Sequence, residues 1–168
     1  MKLTFIVLLF AASAFAQKDY PTTAACGPES TSFKVDFEHT THKVEPPESG
    51  NSVVYFIHEA GASLGLFAYP TTKMGVDGAW VGANHGNSYF SVALEPGEHH
   101  LCAALQSSLV DQRVELAHLH AEAGQTYFYR TRLVVSHELE LLNFEPLDSD
   151  QGNYLIGFYS LSRSHPSK

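Results

Sequence analysis

The sequence predicts an all-β fold, an antiparallel β-sandwich of about seven or eight strands with room for a short C-terminal helix. Three observations carry that expectation. Short runs rich in Val, Ile, Phe and Tyr recur at roughly ten-residue spacing, divided by Gly, Pro and Asp-Gly turn signals. Helical periodicity is nearly lacking, with no βαβ alternation and no internal repeat. At 168 residues, 44% of them hydrophobic and 12% aromatic, the chain has one domain's length and enough apolar side chains to bury a core.

The elements follow in order. Phe33 to Phe37 alternates apolar and polar residues, as a half-buried strand does. His39 to Asn51 carries Pro46-Pro47 and Gly50 and reads as a crossing loop. Ser52 to His58 is apolar on both faces, the mark of a central strand. After a Gly-containing loop, Asp77-Gly78 joins Met74–Val76 to Ala79–Val81, supplying the positive φ angles of a type I′ hairpin turn. Ser88 to Leu94 places Phe90, Val92 and Leu94 on one face. Glu95-Pro96-Gly97-Glu98 has the residues of a type II turn, from which His99 to Gln106 should return as the partner strand. Arg113–Ala121 and Thr126–Val135 flank Ala123-Gly124 as a third hairpin. Val114 and Leu116 face one way and Leu119 the other, which predicts a bulge near Ala117. Glu138 to Phe144 is the last expected strand. Asp148 then caps a short helix carrying Tyr154, Leu155 and Phe158, which Gly152 and Gly157 should weaken.

Residues 1–16 read as a signal peptide: Lys2, the apolar run Leu3–Phe10, and Ala14-Phe15-Ala16 as the small-x-small cleavage site. The run is too short for a spanning helix, which takes about 20 apolar residues. The expected location is secreted or periplasmic after cleavage near Ala16, with no transmembrane segment. An uncleaved anchor, or a lipid on Cys26 after Ala24-Ala25, is the competing reading; Thr23 stands where a lipoprotein signal needs Leu. Residues 17–51 are then an N-terminal extension with one strand and the Pro-containing loop, 52–161 the sandwich, and 162–168 a polar tail. Cys26 and Cys102 should pair in an oxidising compartment, the competing reading being two buried thiols. Ten Lys and Arg against 18 Asp and Glu give a charge of −8. With no basic cluster, nucleic acid is not an expected partner.

The order of several pieces resembles a known family. Val53-Val54-Tyr55-Phe56-Ile57, Val76-Asp77-Gly78, Val81-Gly82, Ser88-Tyr89-Phe90, Glu95-Pro96-Gly97-Glu98-His99 and Glu122-Ala123-Gly124-Gln125-Thr126-Tyr127-Phe128-Tyr129 together look like the bacterial domain of unknown function (DUF) 2846. The resemblance covers about residues 52–161. It implies an exported bacterial β-sandwich and carries no activity or catalytic residue to transfer. His58 departs from the Arg that follows this strand in relatives, and the extension with Cys26 is an addition.

Candidate chemistry is sparse. Gly61-Ala62-Ser63-Leu64-Gly65 matches the G-x-S-x-G elbow, but Leu66–Tyr69 is stopped by Pro70, so the helix that elbow requires is not predicted. His118 and His120 sit two apart on a strand and could grip one zinc or copper ion, with a third ligand from His58, His99, His100, Glu115 or Glu122. Neutral imidazoles would make such a site fail below about pH 6. Glu138 and Glu140 share a strand face at a spacing of about 7 Å, near the inverting-glycosidase range, but an exposed strand face is expected to be polar and no cleft is implied, so they read as a solvated face. Arg130 and Arg132 share a face and should pair with acidic neighbours. Trp80, just past the Asp77-Gly78 turn, is the candidate binding-surface residue; Tyr89, Tyr127 and Tyr129 are expected in the core.

The sequence therefore describes an exported non-enzymatic module that binds a protein or cell-envelope component, with no cofactor and no catalytic residue expected. The alternative is a metal-binding protein or metal-dependent hydrolase built on His118 and His120. A third reading is a subunit that assembles through open sheet edges; the residues leave the oligomeric state open.

Overall fold

The computed structural model describes residues 26–39, 43–60, 70–106, 114–136 and 139–167. In chain order these form β1 (Ser32–Glu38), β2 (Ser52–Glu59), β3 (Thr71–Val76), β4 (Ala79–His85), β5 (Ser88–Leu94), β6 (Gly97–Gln106), β7 (Val114–Ala121), β8 (Thr126–Ser136), β9 (Leu139–Leu147), α1 (Ser149–Phe158) and β10 (Ser160–Ser167). Sheet A holds six strands in the order β1-β10-β5-β2-β8-β9, and sheet B four in the order β4-β3-β6-β7. This is the all-β sandwich the sequence predicts, with ten strands among the described residues rather than seven or eight.

Burial explains the layers. Val54 and Phe56 of β2 point between the sheets, where they meet Met74, Phe90, Leu101, Leu119 and Tyr129. Val53, Tyr55 and Ile57 point the other way, against Phe128, Tyr89 and Ile156 of α1. So β2 is covered on both faces, as its unbroken apolar run requires. Each fully buried side chain such as Phe56 or Ile57 contributes about 1.5–3 kcal/mol. The Asp148 side chain caps α1 by accepting from the Gln151 N–H at 2.8 Å. Gly152 does more than weaken this helix: a Cβ there would lie 2.3 Å from the Phe128 ring, so its missing side chain lets α1 seat on sheet A.

Two connections differ from the sequence expectation. The strand β6 does not return beside β5; it crosses into sheet B and pairs with β3 and β7. Likewise β7 and β8 lie in different sheets, so Ala123-Gly124 turns an arch and not a hairpin. These arches leave β2 antiparallel to β5 but parallel to β8, and β10 parallel to β5 over two residue pairs. No bulge occurs near Ala117, because the β6–β7 register runs unbroken from Gly97↔Ala121 to Ala104↔Val114. The apparent phase break comes from Leu116, which faces solvent at 61% exposure while Leu119 and Ala121 face inward. The sandwich's one interrupted register falls between Met74 and Gly75 among the described strands of sheet B. By contrast the Asp77-Gly78 hairpin forms as expected, with φ of 48° and 84°.

The expected polar tail is also a strand. Residues 160–167 pair with β1 along its whole length, from Ser32↔Ser167 to Glu38↔Leu161. Gln106 of sheet B clamps this edge, accepting from the Phe33 N–H at 2.7 Å and donating to the Phe33 carbonyl at 2.8 Å. The sandwich thus runs from β1 to β10, beyond the boundaries expected at 52 and 161. The signal-peptide residues 1–16 lie outside the described residues. Among the described residues no helix is long and apolar enough to cross a membrane.

Candidate functional site on the open half of sheet B

The two outer faces of the sandwich are finished differently. Sheet A is covered by α1 and by Val44 of the crossing segment. On sheet B, residues 26–31 are tied down by the Cys26–Cys102 pair, whose Cα atoms are 5.5 Å apart across 76 residues. Both cysteines are buried, with Trp80 and Val114 packed on them. Trp80 is therefore half-buried and is not the exposed hairpin-tip residue that the sequence suggested. Its indole N–H donates to the Pro28 carbonyl at 2.8 Å, and Lys73 Nζ sits 4.4 Å from its ring. Lys73 Nζ also donates to the Thr31 carbonyl at 2.7 Å, so this half of the face is closed by the chain itself.

The other half, over β6 and β7, is covered by none of the described residues, and the Glu98, His118 and His120 side chains are more than half exposed. Cross-strand register places His100 opposite His118, and Glu98 opposite His120. All four alternate with the inward Leu101, Leu119 and Ala121, so they share the outer face. Glu98 reaches both imidazoles at once: Oε2 lies 3.0 Å from His118 Nε2 and Oε1 lies 2.5 Å from His120 Nδ1. The His100 and His118 rings meet edge to face with centroids 5.2 Å apart. Because Glu98 spans the two imidazoles instead of converging with them, no three donors surround a common point among the described residues as they stand. Their spacing of two residues puts His118 and His120 on one face of the unbroken strand β7. The sequence did not single out Glu98, because that residue depends on knowing that β6 lies beside β7.

The remaining candidate ligands lie elsewhere. Glu115 alternates with the inward set, and Glu122 follows the strand. His99 faces the end of the sandwich, with Nδ1 2.6 Å from Asp77 Oδ2 and Nε2 2.8 Å from the Glu95 carbonyl. Burial alone would lower its pKa, but hydrogen bonds to the Glu95 carbonyl and to Asp77 leave it raised. Asp77 Oδ1 also accepts from the His100 N–H at 2.8 Å, which fixes the start of β6.

His58 is fully buried between the sheets, among Thr72, Asn84, Ser88, Thr131 and Ser162. Its Nδ1 lies 3.0 Å from Thr131 Oγ1, whose hydroxyl donates to the Ile57 carbonyl at 3.4 Å. Thr131 then accepts from an Nδ1–H, and Nε2 has no hydrogen-bond partner among the described residues. Desolvation, assisted by nearby His85, lowers the His58 pKa to about 4, so the ring is neutral at pH 7.

Arg130 does pair with acidic neighbours. Its guanidinium bonds Glu145 on β9, and Nη1 reaches Glu59 Oε2 at 2.9 Å. Arg132 Nη2 stands 3.6 Å from the same Glu145. Tyr89 and Tyr129 are core residues, and the Tyr127 hydroxyl accepts from the Glu122 N–H at 2.9 Å. The G-x-S-x-G segment at 61–65 and Glu138 lie outside the described residues, as does the side chain of Glu140. Neither family models, nor curated proteins, nor solved structures match the chain.

Proposed function

We propose that this chain is an exported, non-enzymatic binding module whose recognition surface is the open half of sheet B. The observation that carries this reading is the edge strand β7. It closes sheet B with no strand paired on its outer side among the described residues; there the His118 carbonyl accepts from the Tyr129 hydroxyl at 3.3 Å, and the strand VELAHLHA contains neither Lys nor Pro, its one ionised side chain at neutral pH being Glu115 on the inward set. Outward on it stands Leu116, at 61% the most exposed large apolar side chain carried by a described strand. Such an edge suits an extended segment of a partner protein, added by main-chain hydrogen bonds with an apolar anchor at Leu116.

The exported setting rests on the signal-like residues 1–16 and on the Cys26–Cys102 pair, which favours an oxidising compartment. The resemblance to DUF 2846 supports the same setting. The test is a photo-crosslinking residue placed at Leu116 or at Arg163 in the full chain, exported by its own cell. A discrete protein adduct from position 116, missing at 163 and lost when Leu116→Lys is introduced beside a crosslinker at 118, is the expected result. Equal adducts at both positions, adducts only to glycan, or no adduct would overturn the reading.

A further inference from the structure

We infer that Glu98, His100, His118 and His120 form a binding site for one divalent transition-metal ion of the zinc class. This goes beyond the docking reading and does not depend on it.

The backbone supplies the frame. Two adjacent antiparallel strands present a two-by-two block of side chains on one face, about 5 Å apart across the strands and about 7 Å along them. The β6 side of that frame is held at two points. Cys102, the next outward residue on β6, is locked by the pair with Cys26, and Asp77 holds the His100 N–H. Preformed geometry of this kind reduces the ordering cost of binding.

The side chains supply the donors. His118 Nε2 and His120 Nδ1 both point at one carboxylate. An ion replaces those two hydrogen bonds when the carboxylate turns from spanning the rings to pinching with them. The rings have the freedom to turn with it, since the His118 and His120 side chains are 57% and 63% exposed. His100 lies within reach and must turn its ring to join: two imidazoles sharing a tetrahedral ion at a metal–nitrogen distance of about 2.1 Å have ring centroids about 5 Å apart. The His100–His118 separation is 5.2 Å. Three imidazole nitrogens and one carboxylate oxygen suit zinc or copper(II), copper binding more tightly, and do not suit the oxygen-seeking magnesium or calcium.

The test is calorimetric titration of zinc chloride into the oxidised, chelator-treated protein at pH 7.5, with metal content read after gel filtration. One zinc per chain is expected. H118Q/H120Q should weaken binding at least a hundredfold, and H165Q, on the far strand β10, should leave it unchanged. H100Q alone should weaken binding by about tenfold or more, and tests the site with a single surface change. Magnesium and calcium should give no saturable heat. Failure of zinc to saturate, equal affinity in H118Q/H120Q and the parent, or loss of the bound ion in H165Q would overturn the assignment.

Discussion

Protonation of His58 should destabilise this protein as pH falls from 6.5 toward 4. His58 is buried and neutral, with a pKa lowered from 6.5 to about 4 by desolvation first and His85 second. Its lowered pKa means the unfolded chain binds the proton more readily than the folded one. Stability linked to this ring is therefore complete above pH 6.5 and falls as pH drops from 6.5 toward 4, where the loss levels off. The interval from 6.5 to about 4 corresponds to about 3 kcal/mol, at 1.36 kcal/mol per unit of pH. The assay is urea unfolding at half-unit steps from pH 7.5 to pH 4, comparing the parent with His58→Gln. Gln keeps a donor for Thr131 and removes the titration. Both proteins share every carboxylate and the other histidines, so the difference between the two profiles isolates His58. That difference should grow by about 3 kcal/mol, a midpoint change of about 1–2 M urea for a domain of this size. Parallel profiles would refute the buried neutral ring.

Three further outcomes follow from the packing. Gly152→Ala should destabilise by about 1–3 kcal/mol in chemical denaturation, although Ala is the better helix former, because its Cβ would meet the Phe128 ring. Reducing the Cys26–Cys102 pair should cost about 4 kcal/mol, since it closes a 76-residue separation, and should expose Trp80 to a red shift in fluorescence. For Asp77→Asn, the raised pKa of His99 should fall in an NMR titration. The associated stability is present at acid pH and lost as pH rises through the His99 pKa, and it should amount to less than about 1 kcal/mol because Asp77 is 45% exposed.

Strand existence was legible because alternation and two-face burial leave their mark on the residues themselves. Phe33–Phe37, Ser52–His58 and Ser88–Leu94 each form where their patterns place them. Pairing was less legible. Pro96-Gly97 and Ala123-Gly124 reverse the chain equally well within a sheet or between sheets, and only packing decides which sheet receives the next strand. Reading β6 beside β5 hid its true neighbour β7, and with it Glu98 and the cross-strand role of His100. The strand β10 escaped notice for a different reason: SLSRSHPS buries Ser162 and little else, so hydrophobic periodicity has nothing to report. Trp80 misled because hairpin tips usually face solvent, whereas this one is roofed by residues tied to Cys26.

The same asymmetry separates the two proposals made for sheet B. Strand addition at β7 uses backbone groups and Leu116, so Leu116→Lys should abolish it while leaving every imidazole in place. Metal binding uses Glu98, His100, His118 and His120, so H118Q/H120Q should abolish that and leave the edge and its apolar anchor intact. Because Leu116 and His118 are neighbours on one outward face, a single deletion of β7 would confound the two. The crossed pair of substitutions does not. A chain that loses partner capture only with Leu116→Lys, and zinc only with H118Q/H120Q, has two independent uses for the face that its described segments leave uncovered. If H118Q/H120Q also abolishes capture, the ion orders the edge or shares a ligand with the partner, and the surface is one site.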